Sequence, residues 1–242
     1  MEHGISLSRS KAQIGQKVLF AGFLISSEGV QMDLGKVEGI YKFPVPQNKT
    51  DLRSFFGLVN QFTRFAPDLS SALVPMRGLL KKGNEFLWLP EHSQAFEHAK
   101  SILTNENGSI LSHFDPNLRS VLMTDASCLN GIGFCLVQYS GNRPRLVCCG
   151  SRFISEAESR YAVCELEALA IQWAIEKCHL YLFGIQFTIL TDHKPLVSIF
   201  SRKNLDSISN SRIQRILLRI SSYSYDIEWC PCLLYTSDAA DE

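Results

Sequence analysis

A mixed α/β fold, with helices flanking a mixed five-stranded sheet behind a smaller hairpin-plus-helices unit, is what three features of the sequence predict. Three short β-rich runs separated by Gly/Asn/Ser turns occupy 119–149. The order after them is helix, strand, helix, helix, strand, which lays helices on the faces of a sheet. The first hundred residues instead carry apolar side chains at helical spacing after one β-rich run.

Taken in order, residues 18–25, Val-Leu-Phe-Ala-Gly-Phe-Leu-Ile, read as one strand. Ser26-Ser-Glu-Gly29 turns it, and Val30-Gln-Met32 returns as the second arm of a hairpin. The prolines of Phe43-Pro-Val-Pro46 interrupt regular structure. Thr50 is placed to N-cap a helix presenting Leu52, Phe55, Phe56, Val59 and Phe62 on one face. Two further helices are expected at 70–81 and 91–103, and Asn105-Glu-Asn-Gly-Ser109 reads as a linker.

In the second half, strands are expected at 119–124, 133–138 and 145–149, forming an antiparallel meander. A long helix over 158–180 follows, then a strand at 186–191 and a short helix opened by Pro195. A helix near 212–221 and a strand at 224–229 complete the pattern. No internal repeat or low-complexity tract is present.

Composition narrows the function classes. Lys plus Arg and Asp plus Glu both count 24, so the formal charge is zero and no global basic field advertises nucleic acid; binding would need local patches. The eight cysteines lie mostly inside apolar segments of a long chain in which no secretory leader is read, so reduced thiols are expected rather than a disulfide framework. No Cys-x-x-Cys pair supports zinc. No apolar run reaches the roughly 20 residues that span a bilayer. The expectation is an intracellular chain with no membrane segment and no small-molecule cofactor.

Three carboxylate contexts carry the candidate chemistry. Asp125 ends a strand in Leu122-Met-Thr-Asp-Ala-Ser127, and Asp192 ends another in Thr191-Asp-His-Lys-Pro195. On the long helix, Val163, Leu166, Leu169, Ala170 and Trp173 are taken as the buried stripe. Glu165 and Glu167 then lie on its two flanks, and periodicity does not choose between them. Each acidic residue has an ordinary structural reading: a turn aspartate for Asp125, a solvated helix flank for the glutamates, and a helix cap for Asp192. Strand ends that converge beside a helix would gather the carboxylates in one cleft. Such a group needs a compensating cation, and hard oxygen ligands select magnesium or manganese. Phosphodiester hydrolysis is the matching chemistry.

At these residues the chain resembles the RNase H domain of gypsy-type LTR retrotransposon Pol polyproteins. The matching words are Thr124-Asp-Ala-Ser127, Gly131-Ile-Gly-Phe-Cys-Leu-Val-Gln138, Ser151-Arg-Phe-Ile-Ser-Glu-Ala-Glu158 with Tyr161, Glu165-Leu-Glu-Ala-Leu-Ala170, Tyr181-Leu-Phe-Gly184, Phe187 and Thr191-Asp-His-Lys-Pro-Leu196. The first half is similar to the end of the reverse transcriptase through Phe20-Ala-Gly-Phe-Leu-Ile-Ser26, Gly29-Val30, Lys36-Val37, Phe43-Pro-Val-Pro46, Leu52-Arg-Ser-Phe-Phe-Gly-Leu58 and Phe86-Leu-Trp88.

The resemblance implies an RNase H-like fold at 110–231, a thumb/connection-like reverse-transcriptase region at 1–105 and a tail outside the family pattern at 232–242. It implies Asp125, Glu165 and Asp192 as metal-binding catalytic carboxylates for two magnesium or manganese ions, favouring Glu165 over Glu167. Asp125 would bridge the two ions. Counting on from Pro231 puts Ala239 where the family has its fourth carboxylate, with Asp238 one residue before it as the candidate. The implied substrate is an RNA–DNA hybrid, contacted near Gly131 and Gly133 and by arginines such as Arg152, Arg212 and Arg215; Lys177, Lys194, Arg202, Lys203 and Arg219 are further phosphate-contact candidates. The implied partners are the rest of Pol, its polymerase palm and integrase, and the implied location is a cytoplasmic virus-like particle. Residues 1–17 contain no aspartate, so the polymerase's paired-aspartate signature is missing and nucleotide addition by this chain is not expected. The alternative is a catalytically inert fragment that keeps a structural or hybrid-binding role.

Overall fold

The computed structural model describes residues 12–66, 68–81, 83–105, 110–127, 131–201 and 208–231. The linker tract at 106–109, Arg202, Lys203 and the tail from residue 232, Asp238 included, lie outside the described residues.

Strands β1 (Lys17–Phe20), β2 (Phe23–Ser26) and β3 (Gly29–Met32) form a three-stranded antiparallel meander. The expected single strand over 18–25 is corrected here. Ala21 and Gly22 take positive φ values of 51° and 83°, as a two-residue hairpin turn requires, and they fold the apolar run back on itself. Hydrogen bonds between Val30 and Leu111 close the outer edge of β3.

Helix α1 (Leu34–Tyr41) is capped by Asp33, whose carboxylate accepts the Gly35 N–H. Helix α2 (Lys49–Asn60) begins one residue before Thr50, because Asn48 is extended and its Oδ1 accepts the N–H groups of Thr50 and Asp51 at 2.9 Å each. Leu52, Phe55, Phe56 and Val59 are buried on the face their spacing foretold. The helix expected at 70–81 is instead α3 (Leu69–Ala72), α4 (Val74–Arg77) and a 3-10 turn (Gly78–Leu80). Pro75, lacking an N–H, sits in the first turn of α4, where that costs nothing. With α5 (Pro90–Asn105), these helices bury Phe55, Phe62, Phe65, Met76 and Phe96 in one core.

A second core lies on a mixed sheet. Strands β4 (Arg119–Ser127), β5 (Gly131–Ser140) and β6 (Arg143–Arg152) form the antiparallel meander, each longer than its apolar run alone suggested. The expected helix at 158–180 divides into a 3-10 turn (Glu158–Arg160), α6 (Val163–Lys177) and α7 (His179–Leu182). Strand β7 (Gln186–Thr191) then pairs parallel to β4. After α8 (Lys194–Phe200) and α9 (Ser211–Ile220), strand β8 (Ser224–Trp229) pairs parallel to β7. The order β6-β5-β4-β7-β8 is the five-stranded mixed sheet the sequence predicted. Ala168, Ile171, Ala174 and Ile175 of α6 pack with Leu122, Phe134, Leu136 and Ile189 of the sheet and with Ile213, Ile216 and Leu217 of α9.

Strand β6 is the sheet edge, and side chains at its carboxyl end meet the helical unit. The Cys149 thiol donates to the Arg64 carbonyl at 3.0 Å, Ser151 bonds Ser70, and the Arg77 guanidinium lies 3.1 Å from the centroid of the Phe153 ring.

At Gly131, φ is +109° and an added Cβ would lie 2.3 Å from the Arg152 carbonyl oxygen, whereas the nearest atom to a Cβ on Gly133 is 3.7 Å away. Gly131→Ala is therefore expected to destabilise the fold by about 1–3 kcal/mol, and Gly133→Ala by much less. Thermal melts of the two variants check this; equal melting temperatures would refute the close approach of β5 to β6.

Candidate metal centre

The parallel pairing of β4 with β7 sets Leu122 beside Ile189 and Met123 beside Leu190. Continued by two residues, that register brings Asp125 alongside Asp192 at the carboxyl ends of neighbouring strands, about 4.8 Å apart in the pairing direction. Helix α6 crosses the same sheet and adds Glu167. One carboxylate oxygen from each of Asp125, Glu167 and Asp192 lies within 4.8 Å of the other two. Among the described residues, this is the group of acidic, histidine or cysteine side chains placed to share an ion.

The three differ in surroundings. Asp125 is exposed, Asp192 is half-buried and Glu167 is 4% exposed. Glu167 accepts a hydrogen bond from the Ala126 N–H, while its buried Oε2 has no partner. Burial first, and then the charges of Asp192 and Asp125, push its carboxyl up to about 8. A buried carboxylate oxygen without a donor, facing two more carboxylates, is costly to ionise unless a cation compensates it. Three oxygen-donating carboxylates suit a hard divalent ion.

Asp192 does not cap the following helix. His193 occupies the cap position of α8, and the Asp192 carbonyl accepts the Trp229 Nε1–H at 3.0 Å. With the Cys230 N–H donating to the Thr191 carbonyl at 3.0 Å, the peptide before the site is anchored to the end of β8.

The expectation that Glu165 joins the two aspartates is corrected by this geometry. Two residues along a helix turn a side chain by about 200°, so Glu165 and Glu167 leave α6 on nearly opposite sides. Both oxygens of Glu165 are already engaged. Its Oε1 accepts from Asn210 Nδ2 at 2.9 Å, and its Oε2 accepts from the Ala162 N–H at 3.0 Å and from Arg212 Nη1 at 2.6 Å. The Asn210 hydrogen bond, followed by those of Ala162 and Arg212, holds its carboxyl below the usual carboxylate range. Periodicity left the two glutamates open, and the resemblance alone favoured Glu165. Val163, expected to be buried, is 56% exposed, while Ala170, Ile171, Ala174 and Ile175 face the core. Traced back one turn from Ala170 and Ile171, that face arrives at Glu167. The apolar run in the second half of the helix was the signal that could have found it.

Two of the arginines expected at nucleic acid lie in internal ion pairs. Arg212 bonds Glu165, and Arg152 grips Glu158 with two hydrogen bonds of 2.9 and 2.8 Å. The Arg152 hydrogen bonds are the largest cause holding the Glu158 carboxyl down at about 2. Arg215 is exposed and donates from Nε to the Ser211 carbonyl. Lys177 and Arg219 are exposed, and so is Lys194, whose ammonium lies 5.4 Å from the centroid of the Trp229 ring. Gly131 and Gly133 stand on β5 opposite Ser127 and Asp125, at the end of the sheet that carries the site.

Residues 115–223 match the RNase H-like domain found in reverse transcriptase. The retrovirus-related Pol polyprotein from transposon 412 of Drosophila melanogaster is 32% identical over 213 residues, covering 88% of this chain and 17% of the relative. The transposon Tf2-3 polyprotein of Schizosaccharomyces pombe is 30% identical over 229 residues, covering 93% of this chain and again 17% of the relative. The chain thus spans about a sixth of the length of these relatives. The foamy viral protease-reverse transcriptase, solved in complex with an RNA/DNA hybrid, superposes with a TM-score of 0.70 at 19% identity over 94% of this chain and 31% of that one. The same protein in complex with dsDNA gives a TM-score of 0.69 at 19% identity over 91% of this chain and 46% of that one. Residues 115–223 are an RNase H-like domain of the reverse-transcriptase type, carried on a chain homologous to retrotransposon Pol polyproteins.

Proposed function

We propose that this chain is a divalent-metal-dependent nuclease that hydrolyses the RNA strand of RNA–DNA hybrids, as the RNase H part of a retrotransposon reverse transcriptase. The observation that carries this reading is the meeting of Asp125, Glu167 and Asp192 around the unpartnered, buried Glu167 oxygen, at one end of an RNase H-like sheet. The hybrid bound by the foamy viral relative supports the choice of substrate. On the same reading, residues 1–105 are the closing region of the polymerase part, and the natural partners are the remainder of Pol.

Asp125, Glu167 and Asp192 would hold magnesium or manganese. The chemistry such an ion supplies is activation of the attacking water and stabilisation of charge at the scissile phosphate. The protein's own contribution is placement. Exposed Asp125 forms the open side, where a phosphodiester can approach, and buried Glu167 forms the floor. Asp192 is steadied from behind by Trp229.

Cleavage of a labelled RNA–DNA hybrid in magnesium by the full chain tests the reading. The unaltered protein should cleave the RNA strand. Asp125→Asn and Glu167→Gln should each lose more than the roughly 10–100-fold typical of groups behind the ligands. Absence of cleavage by the unaltered chain at every metal concentration sinks the enzyme reading, and hybrid binding without cleavage would point to an inert hybrid-binding fragment.

The raised Glu167 carboxyl also has a consequence for stability. Unfolded, the group titrates near its ordinary value of 4.5; in the metal-free fold it titrates at about 8. Between those values the folded chain keeps a proton that the unfolded chain has released, so stability falls as pH rises, by up to about 1.4 kcal/mol per pH unit. Metal-free Glu167→Gln should therefore melt above the unaltered protein at pH 8 and lack this slope. Magnesium should raise the melting temperature of the unaltered protein only. Calorimetry across pH 5–8 reads both effects, and identical pH slopes for the two proteins would contradict the burial of this charge.

A further inference from the structure

The first turn of α6, which carries Glu167, lacks an ordinary helix cap. Ala162 stands at the cap position and has no side-chain oxygen to accept from the leading N–H groups. Glu165 ties this turn down from within. Its Oε2 takes the Ala162 N–H, and the same carboxylate reaches across to α9 through Asn210 and Arg212. Asn210 is at that moment the cap of α9, its Oδ1 accepting the N–H groups of Arg212 and Ile213 at 2.9 and 3.1 Å. The Arg212 guanidinium lies 3.8 Å from the centroid of the Tyr161 ring, just ahead of α6. Tyr161, Glu165, Asn210 and Arg212 thus knot together the starts of two helices whose apolar faces share one core.

The knot sits next to a feature of α6 that demands accurate rotation. Glu167 is the fifth residue of the helix, close to an end of the kind that ordinarily frays. A change in local winding by one residue would swing its carboxylate about 100° away from the aspartates. Glu165 points to the other side of the helix and is engaged by the knot, so it can fix the rotation without touching the ion.

We propose that Glu165 is a positioning residue: tied to Asn210 and Arg212, it holds the first turn of α6 in the rotation at which Glu167 meets Asp125 and Asp192. This rests on the metal reading of those three carboxylates. The knot acts on the affinity for the ion, and the ion-free fold survives its loss.

The test is Mn2+ binding by the full chain, measured by isothermal calorimetry and by the EPR signal of free Mn2+, with circular dichroism melts of the same samples. Glu165→Gln and Arg212→Ala should each weaken Mn2+ binding about tenfold. The double variant should be no weaker than the worse single, because both act through one knot. Arg212→Lys should restore much of the affinity, and Asp125→Asn should abolish binding. Asn210→Ala leaves α6 itself unaltered and gives the same readout should Glu165→Gln fail to fold. Unchanged Mn2+ affinity beside a lowered melting temperature would make the knot merely structural and overturn the proposal. Complete loss of binding in Glu165→Gln, matching Asp125→Asn, would make Glu165 a ligand and overturn it too. An unaltered chain that binds no Mn2+ fails the metal reading itself, an outcome distinct from equal affinity across the series.

Discussion

Everything distinctive about this chain depends on the burial of one carboxylate. Glu167 projects from α6 into the junction between helix and sheet, where its Oε2 has neither donor nor water-facing surface. Two aspartates stand within 4.8 Å, and at an effective dielectric near 20 each ionised pair at that range repels by roughly 3–4 kcal/mol. A fold that retained this group for packing alone would do better with leucine. The surrounding structure is arranged to bear the cost: Ala168, Ala170 and Ala174 keep α6 close to the sheet, and the Ala126 N–H gives Glu167 one donor.

The sheet supplies the other two carboxylates by register alone. Met123-Thr-Asp125 and Leu190-Thr-Asp192 are the same three-residue segment, hydrophobic-Thr-Asp, near the carboxyl ends of strands that run parallel and side by side. Once Leu122 pairs with Ile189 in the core, the aspartates have no freedom to separate, because a slip by one residue would turn the apolar side chains of β7 out of the core. Packing deep in the sheet thereby fixes charge geometry at its end. The β8 strand extends the same logic, since Trp229, paired with Thr191, places its indole N–H on the Asp192 carbonyl.

How much of this was legible in the sequence varied with the kind of signal. The strands 186–191 and 224–229 stand where their alternating apolar residues put them, and the order of elements in the second half followed from turn residues. Asp192 stands just past its strand as read, whereas β4 runs on to Ser127 and holds Asp125 two residues inside its carboxyl end. The helix member was not legible. Periodicity centred on Val163, Leu166 and Trp173 left two glutamates equivalent, and resemblance then chose Glu165. The decisive facts were tertiary: where α6 meets the sheet, and that Arg212, 47 residues away, lies beside Glu165. Ala21-Gly22 failed for another reason. A non-glycine residue at positive φ inside an apolar run gives little local warning of a turn. Thr50 was read as the cap, but Asn48 takes that place, because its backbone is extended and its side chain accepts the leading N–H groups.

The zero net charge takes on a different meaning beside these contacts. Arg152 and Arg212 are matched by Glu158 and Glu165 within the fold, so part of the balanced count is internal bookkeeping of ion pairs rather than neutral surface. Both pairs lie at the border of the site, one joining the end of β6 to the turn before α6 and the other joining α6 to α9. Charge is thus used twice around Glu167. Opposite charges brace the backbone that presents it, and like charges are gathered where a cation can relieve them. The helical unit meets the carboxyl end of β6 through Cys149, Ser151 and Phe153, while exposed Asp125 leaves the carboxyl ends of β4 and β7 accessible. The contacts with the helical unit lie at one side of the sheet, and the open end is where the unrelieved charge lies.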